Sequence, residues 1–154
     1  MAATAWSVYD NFQTQLGVGS INLSTDAFDM HLFRGSSNAA TSALNNYGSL
    51  TSEVSNSNNY LQSGKVWTTN TWTSVATGQM QFDGDDLIWT ASGGIISAIR
   101  FAVIVHRTAT SAKDATNILI CRTTLSASNF SLADASTLTV QINASGVFRM
   151  SSAD

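Results

Sequence analysis

The segment from Ile99 to His106 restricts the fold more than any other part of the chain. Its alternating residues are Ile99, Phe101, Val103 and Val105 on one side, with Arg100, Ala102, Ile104 and His106 between them. A period of two is typical of a β-strand, and Ala and Ile on the second side indicate a strand covered on both faces. The segment therefore predicts a central strand, around which the chain must build a sheet.

The same periodicity predicts further strands. Phe28, Met30 and Leu32 share one face of a strand that ends near Phe33. Other strands are predicted within 65–75, 80–89, 117–123, 138–143 and 147–150. Asp83-Gly84 favours a turn or sharp corner, residues 108–116 read as a polar turn, and 126–135 as a polar connection with Phe130 and Leu132 as apolar anchors. Asn143-Ala144-Ser145-Gly146 predicts a turn that pairs the last two strands as a hairpin.

The beginning of the chain has a different spacing. Trp6, Tyr9, Phe12 and Leu16 recur at helical intervals, which predicts a short amphipathic helix over residues 7–16. Ser7 is placed to cap its start, and Gly17 is placed for a left-handed residue at its end. About eight short strands after one helix predict a mainly β fold, a jelly-roll-like β-sandwich or else a barrel, and 154 residues fit a single domain over 1–154.

Residues 34–64 are dominated by Gly, Ser, Asn and Ala. The sparse apolar anchors are Leu44, Tyr47, Leu50, Val54, Tyr60 and Leu61. A structureless segment of this length is uncommon inside a compact domain and is often functional, so it is the first candidate for an interface. It either packs on the sheet, reaches a neighbouring molecule or forms a plain surface loop.

The composition limits the partners. Only 11% of the residues are charged, so little repulsion keeps copies apart, which favours a protein that works in an assembly. A net charge of -3 with scattered basic residues argues against nucleic-acid binding. The residues before Ser7 lack the basic and apolar regions of a signal peptide, and no apolar run has membrane-spanning length, so no membrane association is expected.

Enzymatic chemistry has few candidates. His31 and His106 are the two histidines, and each lies in a predicted strand beside polar residues, so both are expected to be solvated side chains on a strand face. Cys121 follows an apolar run and is expected to be a buried, inert thiol. Nucleophile motifs and phosphate-binding loops are absent. A two-carboxylate glycosidase would pair Glu53 with an aspartate, but the sequence does not identify which aspartate. We expect no catalytic residues and no enzymatic activity.

Two residue patterns could form binding sites, and each also has a structural interpretation. Asp83, Asp85 and Asp86 resemble a calcium cluster, but an EF-hand loop begun at Asp83 would have Leu87, Ile88 and Gly94 at positions that need an oxygen, a glycine and a glutamate. A turn is the simpler interpretation, so neither a metal nor another cofactor is expected. Trp67, Trp72 and Trp89 could form a sugar-binding platform, but such residues more often lie in the core.

Several blocks of the sequence together resemble a known family. The first is Tyr9-x-x-Phe12 followed by Leu16-Gly17-x-Gly19-x-Ile21-Asn22-Leu23-x-Thr25-Asp26-x-Phe28-x-Met30-x-Leu32-Phe33. Later blocks are Glu53-Val54, Trp72, Phe82-Asp83-Gly84-Asp85-Asp86-Leu87-x-Trp89, Arg100-Phe101-Ala102-Val103-Ile104 and Asn143-Ala144-Ser145-Gly146-Val147-Phe148. In this order they resemble small virion structural proteins of tailed bacteriophages over nearly the whole chain, whereas the Asn- and Ser-rich stretch 36–59 departs from the usual pattern.

The resemblance implies a capsid cement or decoration protein on the outer surface of the phage head. Its partner would be the major capsid protein, and the protein would form homotrimers over junctions between capsid subunits. The segment with Trp6 and the excursion 34–64 are then the expected contact regions. The alternatives are a phage tail or baseplate component and a carbohydrate-binding β-sandwich module.

Overall fold

A computed structural model describes residues 5–108 and 116–152. In this part of the chain the fold is mainly β with one α-helix, α1 (Asp10–Gly17), as the sequence predicts. The strands are β1 (Ser7–Val8), β2 (Ala27–Arg34), β3 (Lys65–Trp67), β4 (Thr71–Ala76), β5 (Gln79–Asp83), β6 (Leu87–Thr90), β7 (Ile96–Arg107), β8 (Leu119–Thr124), β9 (Phe130–Leu132), β10 (Thr137–Val140) and β11 (Phe148–Ser151). The described residues form eleven strands where the sequence predicts about eight, and most of the predicted turn at 108–116 lies outside the described residues.

The main sheet is antiparallel and has six strands. Its order is β1-β8-β7-β2-β3, with β9 also paired to β7. The predicted central strand is confirmed, because β7 lies between β2 on one side and β8 and β9 on the other. Phe130 and Leu132, which were expected in a connection, form β9 at the end of this sheet.

The predicted hairpin at the end of the chain is wrong. β10 pairs with β6, and β11 pairs with β5, so the last two strands belong to different sheets. The Asn143–Gly146 turn changes the direction of the chain instead of reversing it, and Val147 N then donates to Phe82 O on β5. The corner predicted at Asp83-Gly84 is confirmed, since it separates β5 from β6. The two segments therefore form one long ribbon, bent at both corners.

Aromatic rings join the main sheet to this ribbon. Phe28 on β2 contacts Phe82 on β5 with ring centroids 5.2 Å apart, and Trp67 contacts Phe82 at 5.3 Å. Both pairs have the edge-to-face arrangement that aromatic quadrupoles favour. Beneath the bent ribbon lies the larger apolar core, in which Met30, Leu32 and Ile104 are fully buried. The layers resemble a β-sandwich.

The excursion 34–64 covers the opposite face of the main sheet. Tyr47 and Leu50 pack there against Phe33, Phe101 and Val103 in a second apolar cluster. Of the three alternatives predicted for this segment, the structure shows the first, in which the segment packs on the sheet. Of its six anchors, Leu61 is the exception, with 63% of its surface exposed.

The start of the chain differs from the predicted helix. Ser7 and Val8 extend the main sheet as β1, opposite Arg122 and Cys121 of β8, so Ser7 is not a helix cap. The helix begins at Asp10 after Tyr9, and it buries Phe12. The left-handed residue that follows it is Gly19 rather than Gly17, with φ at 75°.

Cys121 is fully buried in β8, as the sequence predicts. Burial raises the pKa of its thiol well above the ordinary value, although nearby Arg122 acts in the opposite direction. We therefore expect the native protein to resist a thiol-specific chromogenic reagent, and the denatured protein to react at once with one thiol per chain. Rapid labelling under native conditions, with an unchanged circular dichroism spectrum, would contradict this burial.

Candidate functional site

Both histidines are buried, contrary to the expectation that they are solvated. His31 is 1% exposed and His106 is 5% exposed. His31 is buried because the excursion 34–64 covers its face of β2. His106 lies opposite Phe28 on the other face of the sheet, and its ring packs against that of Phe28 with centroids 5.6 Å apart. The Nδ1 atom of His31 lies 3.0 Å from Oε1 of Glu53, and Nε2 of His106 lies 2.9 Å from Oδ2 of Asp26. Each histidine therefore has a carboxylate partner.

Glu53 is the centre of a buried polar group that we call the Glu53 cluster, consisting of Glu53, His31, Tyr47 and Tyr60. The Tyr47 hydroxyl donates to Oε2 of Glu53 at 2.5 Å, and the Tyr60 hydroxyl donates to Oε1 at 2.9 Å. The backbone N–H of Leu32 donates to the Tyr60 hydroxyl at 2.9 Å. Both carboxylate oxygens are thus bonded, as a buried charge requires.

The Glu53 cluster is closed to substrates. Tyr47 and Tyr60 have no exposed surface, and the side chain of Glu53 is 3% exposed. Gly64 covers the imidazole of His31 so closely that a Cβ at Gly64 would lie 2.6 Å from that ring. Burial, reinforced by the Glu53 carboxylate, raises the pKa of both tyrosines well above the ordinary range. The cluster therefore attaches the excursion to the sheet. Sequence reasoning missed it because Tyr47, Glu53 and Tyr60 lie in a segment without periodicity, 16 or more residues after His31.

A second set of charged residues, partly buried, lies near the start of β2. The Arg107 guanidinium donates from Nε to Oδ2 of Asp29 at 2.7 Å and from its second nitrogen to Oδ1. This bidentate contact joins Asp29, near the start of β2, to the end of β7. It lies beside the pair of His106 and Asp26. The geometry matches the usual planar Arg–carboxylate pair. The first pair joins β7 to β2, and the second joins β7 to the residue just before β2.

The predicted aspartate cluster forms a turn. Oδ1 of Asp83 accepts from the N–H of Gly84 at 2.8 Å, and Oδ1 of Asp86 accepts from the N–H of Ile142 at 2.8 Å. The contact to Ile142 joins the two corners of the bent ribbon. Across residues 5–108 and 116–152, no group of three His, Cys, Asp or Glu side chains is placed to hold a metal ion.

The three candidate tryptophans do not share an exposed surface. Trp67 is 1% exposed and Trp89 is 5% exposed, while Trp72 is half-buried against the core. Trp67 Nε1 donates to the Asp85 carbonyl at 2.9 Å, so its polar edge is satisfied inside the fold. The arrangement is that of core residues rather than of a stacking platform for sugars.

An open apolar groove of about 780 Å³ lies beside Trp6, and we call it the Trp6 groove. Its lining includes Trp6, Val8, Phe12, Leu16, Phe148 and Met150. Phe12 of α1 and Phe148 of β11 meet at its floor with ring centroids 5.4 Å apart. β1 and β11 line the groove, and each is the outermost strand of its own sheet. Two strand edges therefore border an apolar floor.

A second cavity of about 400 Å³ adjoins the first and shares Trp6, Phe148 and Arg149 with it. The guanidinium of Arg149 donates to Oε1 of Gln81 at 2.8 Å, so this charge is held by the side chain of a neighbouring strand. Trp6, a predicted contact residue, thus lies between two accessible cavities. The other predicted contact region, 34–64, is largely used inside the molecule.

Comparison with known proteins adds no relative. A scan against family models found no match, and searches of curated proteins and of solved structures found none either. No helix in the described ranges is long and apolar enough to cross a membrane.

Proposed function

We propose that this chain is a structural protein of a tailed-phage particle, a capsid cement protein that bridges neighbouring major capsid protein subunits on the outside of the head. In this role it acts without catalysis and without a cofactor. The proposal combines the resemblance of the ordered sequence blocks with the surface of the fold. Assembly as a homotrimer stays a prediction from that resemblance.

The Trp6 groove is the observation that carries this proposal. An extended segment could lie between the edges of β1 and β11, where free backbone groups can pair with it and apolar side chains can enter the floor. The occupant we propose is an extended segment of the major capsid protein with alternating apolar side chains. Trp6 is the central anchor because large aromatic residues at the middle of an interface commonly contribute most of the binding energy.

The buried polar side chains, which pair with one another inside the fold, support the same role. Glu53, His31, His106 and Asp29 are buried and paired with one another or with neighbouring side chains. Buried, paired groups hold a fold together but cannot reach a substrate. A stiff domain with a weakly charged surface suits a lattice in which many copies make modest contacts at once.

Binding to capsids tests the proposal. Particles of the encoding phage assembled without this protein would be mixed with purified wild-type protein, with Trp6→Ala or with Ile95→Ala. We expect wild-type protein to bind and to raise the temperature at which the capsids release DNA. Trp6→Ala should bind at least about tenfold more weakly, because it loses a central aromatic anchor.

Ile95→Ala is the matched control, since Ile95 is 56% exposed and lies outside both the Trp6 groove and the excursion 34–64. It should bind like the wild-type protein. Circular dichroism would verify that both variants are folded. Wild-type protein that neither binds the particles nor changes their stability would refute the cement function, whereas equal binding by all three proteins would refute the role of Trp6.

A further inference from the structure

The outer edge of β4 is both long and free of charged side chains. Among the described strands with a free edge, β4 is the longest at six residues, against two to four for β1, β3, β6, β9, β10 and β11. All its residues are exposed except the half-buried Trp72. The run from Val66 to Phe82 contains no charged residue.

Natural proteins usually protect such an edge from other strands. Charged residues, prolines, short length and bulges are the common devices. β3 carries Lys65 and β11 carries Arg149, whereas β4 has neither a charge nor a proline. Its bulge lies between Ser74 and Ala76, so the stretch from Thr71 to Ser74 pairs regularly with β5. Thr, Trp and Val in this strand also favour extended pairing.

The hydrogen-bond pattern identifies which backbone groups point outwards. Ser152 N donates to Gly78 O, which directs the even-numbered residues of β5 towards β11. Gln81 of β5 therefore bonds in the other direction, to its partner Thr73 on β4. Because the direction alternates along a strand, the N–H and C=O groups of Trp72 and Ser74 point away from β5 and are available for another strand.

We infer that β4 is a self-association edge, where β4 of a second copy adds as an antiparallel strand about a two-fold axis. Symmetric pairing places Thr73 opposite its own counterpart and Trp72 opposite Ser74 of the second copy. A two-fold contact brings each residue near its own equivalent, so a charged edge would repel itself and a neutral one does not. The second copy is favoured as the occupant for that reason. This inference is independent of the cement function. Together with the predicted homotrimer, pairing at β4 would join two trimers into a hexamer, which has an even number of chains.

Light scattering coupled to size exclusion tests the pairing on the full chain. We expect the wild-type protein to contain an even number of 16.3 kDa chains, and Ser74→Pro to contain half that number. Proline removes the outward N–H of Ser74 without removing a bond to β5, and proline is tolerated on a free edge. Ser74→Ala is the matched control, because it keeps the N–H and should keep the wild-type mass.

A charge exchange provides a second test that does not depend on proline. Thr73→Lys and Thr73→Asp should each halve the mass, because like charges would face each other across the axis. An equimolar mixture of the two should restore the wild-type mass. Wild-type protein that is monomeric or has an odd number of chains would overturn the inference. It would also be overturned if Ser74→Pro kept the full mass, or if the mixture did not reassociate.

Discussion

Raising the pH above the ordinary tyrosine pKa of 10.0 is expected to unfold this protein cooperatively. All three tyrosines of the chain, Tyr9, Tyr47 and Tyr60, have no exposed surface. Burial raises the pKa of each hydroxyl, and the Glu53 carboxylate adds to this effect at Tyr47 and Tyr60. At Tyr9 the hydroxyl donates to the Ala39 carbonyl at 2.8 Å, which keeps it neutral and bonded.

The folded state holds the tyrosine protons more tightly than the unfolded state, so a rise in pH lowers the stability of the fold. Below pH 10 all three hydroxyls are neutral in both states, and their contribution to stability is fully present. Above pH 10 only the unfolded chain ionises, so stability falls as the pH rises towards the higher pKa of the folded state. Each tyrosine then lowers the folding equilibrium constant about tenfold per pH unit. At about pH 11 the three together cost roughly a thousandfold, or about 4 kcal/mol.

The tyrosinate absorbance and the circular dichroism signal should be followed together as the pH is raised. We expect tyrosinate to form only as the fold is lost, in a single transition. Tyr9→Phe should make the pH dependence shallower by about one proton, since it removes one titrating group. Tyrosinate formation with a midpoint near 10, in protein that stays folded, would contradict the burial of these side chains.

Glu53→Ala is expected to have the largest effect of any single substitution in a polar residue described above. It removes the acceptor for Tyr47 and Tyr60 and the partner of His31, all of which stay buried. Removing one member of a buried, hydrogen-bonded charge group typically costs about 3–5 kcal/mol. Denaturant unfolding should therefore show a loss of this size in the free energy of unfolding.

Glu53→Gln separates the charge and hydrogen-bonding roles from the volume of the side chain. Tyr47 and Tyr60 donate to different oxygens of Glu53, so an amide can accept from only one of them and turns its NH2 group towards the other. We expect a cost of about 1–3 kcal/mol. Asp85→Asn removes an exposed carboxylate as the matched control and should change stability by less than about 0.5 kcal/mol. Equal effects of the two amide variants would contradict the structural role of the Glu53 cluster.

Local patterns predicted the strands well where apolar residues alternate along the sequence. β2 and β7 follow directly from their alternation, and β7 is central because both of its faces are apolar. The partners of β10 and β11 could not be found in this way. Each strand was recognised, but the turn between them has no local signal that distinguishes a corner from a hairpin. Only β5 and β6, more than 45 residues earlier, determine where these strands pair.

The histidines show the same limit at the level of a site. His31 alternates with Met30 and Leu32, so the pattern placed it on a polar, solvated face. The face is covered because Tyr47 and Leu50 return to it from a polar segment whose anchors have no periodicity. Glu53 lies in that segment as its one acidic residue, and nothing in the nearby sequence indicates three partners.

The most direct test of the proposed function is the number of copies of this protein in purified virions of the encoding phage. Quantitative mass spectrometry would give the ratio of this chain to the major capsid protein. A ratio near one is the predicted result for a cement that covers the head. A ratio of a few per cent would contradict cement and favour a tail component, and absence from the virion would exclude a structural role in the particle.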